Sequence, residues 1–167
     1  MPPPDVPLMT APPSLASLIG RLAARVGSLG AGPRAELRRL HPDASDRWRA
    51  ETFYRLYAEV IAPEGAGGDL HERRWAILLA GLAALEHAPG SALGRVLAES
   101  GFAPARFTRL LDADDDHLPD QIRAVVSYLG SKGQTVNWTD VAHLLLDGDR
   151  DAVRRRIAAT YYRFSKA

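Results

Sequence analysis

From Ser14 onward, apolar residues return every third or fourth position, and no stretch alternates apolar and polar residues in the manner of a half-buried strand. That periodicity constrains the chain to helices. It is clearest in Ser91 to Leu111, SALGRVLAESGFAPARFTRLL, around which the rest is organised. Ser91 suits an N-cap, and Leu93, Val96 and Leu97 form an apolar stripe. Ser100 and Gly101 end that helix, because glycine enters the left-handed region without a Cβ penalty. Pro104 suits the first turn of the next helix. Phe107, Leu110 and Leu111 give that helix its inner face, and Arg106 and Arg109 project from the other.

The same reading predicts a helix behind Ser14 with Leu15, Leu18, Ile19, Leu22, Val26 and Leu29 inside, broken at Gly30 to Gly32. A short helix runs from Pro33 to about Leu40 and stops at His41-Pro42-Asp43. A long helix capped near Ser45 then buries Trp48, Phe53, Leu56, Tyr57, Val60 and Ile61, and Pro63 to Gly68 form a flexible loop. Asp69 to about His87 is apolar on more than one face, as expected of a central helix. Asp112 to Pro119 is an acidic turn. Helices follow from Pro119 to Leu129, Trp138 to Leu146 and Asp149 to Phe164, the last burying Val153, Ile157, Tyr161 and Phe164. Trp48, Trp75 and Trp138 are expected as core anchors. The expected fold is all-α, a compact bundle of two packed helical lobes. Residues 1–13 form a disordered Pro-rich tail and 14–167 the helical domain, with 89–113 as the lobe boundary.

Composition narrows the chemistry. There is no cysteine, which excludes disulfides, thiolate zinc sites and cysteine nucleophiles, and fits a reducing, cytoplasmic setting. No apolar run is long enough to span a bilayer, and the N-terminus has no secretory pattern, so no membrane association is expected. His41, His71, His87, His117 and His143 are scattered, and His71-Glu72 lacks the second histidine of a zinc-protease helix. Asp112, Asp114 and Asp116 have the spacing of a calcium loop, but His117 stands where its glycine belongs and Arg123 where its bidentate glutamate belongs. No phosphate loop, nucleophile elbow or carboxylate pair appears. No metal, cofactor or enzymatic activity is expected.

The positive signal is arginine on outward helix faces. The net charge of +1 conceals +4 between Asp149 and Ala167, against about −3 elsewhere. Arg155, Arg156, Arg163 and Lys166 share one side of the last helix with Tyr162. Arg34 and Arg38 are one turn apart with Arg39 beside them, Arg106 and Arg109 form the second pair, and Arg123 and Lys132 complete the candidates. Guanidinium forks match phosphate oxygens, and exposed aromatics stack on bases. The competing reading for Arg106 and Arg109 is pairing with Asp112 to Asp116, and for Arg34 and Arg38 pairing with Glu36 or simple solvation. Arg95 and Glu99 suit a local ion pair. Replacing Arg34, Arg38, Arg106 and Arg109 by alanine is expected to cost little stability. The residues alone therefore indicate sequence-independent binding of a phosphate backbone. A helical protein-interaction adaptor is the alternative, and a base-reading regulator lacks its recognition set, since Gln121 and Asn137 do not form one.

Ala92 to Gly101 (ALGRVLAESG), preceded by Gly32 to Arg39 (GPRAELRR) and Phe53 to Leu56 (FYRL) and followed by Val136 to Trp138 (VNW), resembles in order the signature of the CasB family. CasB is the small subunit of the type I-E CRISPR surveillance complex, Cascade. The resemblance implies a non-catalytic subunit that dimerises head to tail and contacts the backbone and large subunits, the crRNA and target DNA. It also implies that its basic surface holds the displaced strand and stabilises the R-loop.

Overall fold

The computed structural model describes residues 13–41, 43–44, 46–62 and 67–166. The Pro-rich tail, Pro42, the Ser45 cap and most of the 63–68 loop lie outside them, apart from Pro13 and Gly67–Gly68. The helices are α1 Leu15–Gly27, α2 Ala31–Arg38, a single 3-10 turn Arg47–Arg49, and α3 Glu51–Leu56, which runs into a π-helical turn Tyr57–Ile61. Then come α4 Asp69–Ala84, α5 Leu93–Glu99, α6 Pro104–Asp112, α7 Leu118–Ser131, α8 Trp138–Leu146 and α9 Arg150–Phe164. Among the described residues there are no strands beyond one isolated bridge between His87 and Val136. The bundle is all-α, as the apolar spacing requires.

Local chemistry starts these helices where the sequence indicates. Ser14 Oγ accepts from the Ser17 N–H, Asn137 caps α8 through the Thr139 N–H, and Asp149 caps α9 through the Ala152 N–H. Gly101 has φ +78°, the left-handed conformation that closes α5. α5 itself is capped differently from expectation. Ser91 Oγ bonds Thr135 Oγ1, while the Leu93 N–H donates to Asp140 Oδ2 at 2.9 Å, so a carboxylate from α8 does the capping.

α4 lies centrally, packed by α1, α2, α7 and α8. Trp75, Leu78 and Leu79 are buried along it, and Gly81 receives the Trp138 ring. Trp138 is fully buried and donates its indole N–H to Leu85 O at 2.9 Å. One contiguous cluster of buried side chains runs from Ile19 to Tyr161. Two histidines are built into this packing. His71 Nε2 accepts from the Trp75 indole while Nδ1 meets the Tyr57 hydroxyl at 2.7 Å, and burial holds its pKa below the usual value. Burial likewise lowers His87, whose Nδ1 accepts the Trp138 N–H.

The segment after His41 departs from expectation. It is not one long helix, and Trp48 is not buried: it is 61% exposed. The inward position belongs to Arg47, only 2% exposed, which donates to Ala44 O at 2.7 Å and to the carbonyl and carboxylate of Asp69, with Glu72 at 3.7 Å. A charge buried among carboxylates and carbonyls is tolerable; left unpaired it is not. The neighbouring Trp48 is therefore turned outward on a one-turn helix. Phe164 also departs, at 38% exposed rather than part of the inner stripe of α9.

Candidate nucleic-acid interface

The candidate cations fall into distinct situations. Arg34 and Arg38 are tied to the fold. Arg34 Nη2 donates to Val26 O at 3.2 Å and Gly27 O at 2.8 Å, closing the C-terminal end of α1. Arg38 Nε donates to Ala83 O at 2.8 Å, closing α4. Neither pairs with Glu36, whose carboxylate accepts from the Thr52 N–H and hydroxyl. Carbonyls at a helix end otherwise lack partners, and cations there also suit the macrodipole. These bonds replace the expectation of little stability cost with a larger one at these two positions. Arg34→Ala and Arg38→Ala are each expected to cost about 1–2 kcal/mol, from stranded carbonyls. Arg109→Ala should stay within about ±0.5 kcal/mol. Thermal melting of the single variants checks the contrast.

Arg106 and Lys132 meet across 26 residues of sequence on one ring. The Arg106 guanidinium lies 5.2 Å from the Tyr128 centroid and 4.6 Å from that of Phe102, and Lys132 Nζ lies 5.7 Å from Tyr128. Tyr128 is fixed beneath them by its hydroxyl, which donates to Ser100 O at 2.6 Å, and by an edge contact with Phe102. Both cations are exposed and make no ion pair among the described residues. The aromatic seat holds each charge in place, and neither side chain donates a hydrogen bond among the described residues. Tyr128 is the site residue that sequence reasoning missed; its exposure depends on the α6–α7 packing, which no local pattern encodes.

Arg109 is exposed and has no ion-pair partner among the described residues; it lines a depression with Thr108, Asp112, Asp114, His117 and Gln121. The acidic turn is occupied elsewhere. Asp115 accepts from Arg150 at 2.7 Å and faces Arg74 at 3.5 Å; the Arg150 hydrogen bond holds its carboxyl below the ordinary range. Asp114 accepts from the His117 ring at 2.6 Å, lowering its own pKa and raising that of His117. Arg154 donates to Ala113 O. The turn is thus a clasp fastening α4 and α9 to the α6–α7 junction. Among the described residues no group of three or more His, Cys, Asp or Glu is placed to hold a metal ion.

On α9, Arg155 is exposed without an ion-pair partner among the described residues, Arg156 faces Asp140 at 3.8 Å, and Arg163 lies 5.9 Å from the Phe164 centroid. Arg95 pairs with Glu99 at 2.8 Å and covers the Phe164 ring at 4.8 Å. Arg123 pairs with Asp120 at 3.3 Å, and Arg39 is exposed with no partner among the described residues. No helix of the described residues is long and apolar enough to cross a membrane.

Comparison with known proteins identifies the family and the fold. No curated protein matches the chain by sequence. Among solved structures, CasB from M. ruber superposes with a TM-score of 0.70 at 18% identity, covering 90% of this chain and 93% of that one. CasB from Thermus thermophilus gives 0.70 at 22%, covering 90% and 99%. A chain of E. coli Cascade bound to a PAM-containing dsDNA target gives 0.64 at 24%, covering 87% and 95%. At these identities the likeness establishes a shared fold. The family model for CRISPR-associated protein Cse2 matches residues 33–162, from the second residue of the Gly32–Arg39 run to the exposed Tyr162. The chain belongs to the CRISPR-associated Cse2 family.

Proposed function

We propose that this chain is a non-catalytic subunit of a type I-E Cascade effector complex, that it holds nucleic acid by the phosphate backbone without reading sequence, and that it stabilises the crRNA-guided R-loop through the displaced strand. Family membership and a fold shared with a chain of DNA-bound E. coli Cascade support the first part. The observation that carries the second is the set of exposed cations outside the ion-pair network. Arg106 and Lys132 sit on Tyr128, and Arg109, Arg155 and Arg39 have no ion-pair partner among the described residues. Most other arginines of the chain, among them Arg47, Arg73, Arg74, Arg150 and Arg154, are engaged by carboxylates. R-loop formation is nearly balanced in free energy, so a few phosphate contacts tip it.

The partners in this reading are the other Cascade subunits, crRNA and target DNA, with a second copy arranged head to tail in a cytoplasmic complex. Exposed Trp48 and Leu70 suit contact with a protein subunit. The experiment is binding of the isolated protein to unrelated single- and double-stranded oligonucleotides across a salt series. The expected result is weak, sequence-tolerant binding whose log affinity falls linearly with log salt, by roughly 0.7–0.9 per phosphate neutralised. Salt-independent affinity, or tight preference for one sequence, contradicts it.

A further inference from the structure

α9 carries an aromatic that neither core packing nor phosphate binding explains. Tyr162 is 56% exposed, the largest exposed aromatic surface of the C-terminal half. Its ring is held edge-to-face, at 87° to both neighbours, by Phe107 at 5.9 Å and Tyr161 at 5.2 Å. Those two supports are themselves immobilised. Each is 1% exposed, they stack on each other at 3.8 Å, and the Tyr161 hydroxyl donates to Phe102 O. The Tyr162 hydroxyl makes no hydrogen bond among the described residues, so nothing polar accounts for its outward placement.

What stands around the ring is specific. Arg155, Ala159 and Tyr162 succeed one another at spacings of four and three, and so share one exposed stripe of α9. Arg155 lies about 10 Å along the axis from Tyr162. Between them Ala159 contributes only a methyl group, leaving the approach along the stripe open. Lys166 is exposed just beyond the end of the helix. The one carboxylate on the stripe among the described residues, Asp151, lies a turn before Arg155 on the side away from Tyr162 and pairs with Arg154 at 3.3 Å; Asp140, on this helix's flank, is taken by Arg156 and the Leu93 N–H. A rigid, exposed aromatic ring flanked by cations is the arrangement that binds a single strand, with a base on the ring and phosphates on the charges. A duplex buries its base faces and offers such a ring nothing.

The geometry points to Tyr162 as a base-stacking platform for single-stranded nucleic acid. This rests on the phosphate-backbone reading above, and adds to it a preference for strands whose bases are unpaired.

The test compares a short deoxyadenylate strand with an abasic strand of the same length, which keeps the phosphates and lacks the bases. The wild-type protein is expected to bind the base-bearing strand about 5- to 150-fold more tightly, the range for one stacked base. Tyr162→Ala should abolish that preference while leaving abasic binding and its salt slope unchanged, and Tyr162→Phe should retain it. If Tyr162→Ala melts early, Tyr162→Leu keeps the apolar contact with Phe107, removes the π-face, and gives the same reading. Equal wild-type affinity for both strands, still salt-dependent, overturns the platform and leaves the phosphate reading standing. A preference that survives Tyr162→Ala overturns the assignment to this residue. Absence of salt-dependent binding to either strand overturns both.

Discussion

Gly94→Ala is expected to lower the melting temperature by about 6–12 °C, the shift for a cost of about 3 kcal/mol in a chain of this size. A Cβ at this position would run into Ile157 O and would meet Tyr161 N at 2.8 Å and Thr160 Cβ at 3.1 Å. The first two are main-chain atoms of α9, which cannot swing aside as a side chain can, so the two helices must separate. That crossing carries the buried Val96, Leu97, Ile157 and Tyr161. The sign is informative, because inside a helix alanine is intrinsically better than glycine by about 1 kcal/mol. Gly20 in α1 supplies the control: a methyl group there would have nothing within 4 Å, so Gly20→Ala should leave melting unchanged or raise it. A Gly94→Ala protein that melts at or above the wild type contradicts the close α5–α9 contact.

The second large effect is on binding. Replacing Arg106, Arg109, Lys132 and Arg155 together by alanine is expected to lower affinity for any oligonucleotide about tenfold or more at low salt, and to flatten the salt slope by about 3–4. The stability cost should be small. Arg109 and Arg155 are exposed without ion pairs among the described residues, while Arg106 and Lys132 lose exposed cation–π contacts, about 0.5–1 kcal/mol each. Melting within a few degrees of wild type together with weakened binding supports phosphate contact. Unchanged melting with unchanged binding would mean that these four cations are merely solvated.

Much of the fold was legible because long, strongly periodic segments declare themselves. α1, α4, α8 and α9 begin and end within a few residues of where their caps and apolar stripes indicate. Trp48 was not legible. A one-turn helix has no period, and the direction of Arg47–Trp48 is set by Asp69 and Glu72, more than twenty residues away. Charge was legible as exposure but not as role. The i, i+4 spacing of Arg34 and Arg38 correctly puts both on one face of α2, yet that face looks onto the carbonyl ends of α1 and α4, an acceptor set no local pattern reveals. Conversely, Arg106 and Lys132 carry no shared signal in sequence and are brought together only by Tyr128.

The most direct measurement of the central claim is R-loop lifetime in Cascade reconstituted with cognate subunits and crRNA, carrying either this chain or its Arg106, Arg109, Lys132, Arg155→Ala form. The account predicts that the variant enters the complex in normal amount, that the R-loop dissociates faster, and that mismatch tolerance along the guide is unchanged, because base pairing carries the specificity. An R-loop of undiminished lifetime in a complex that contains the variant would contradict it.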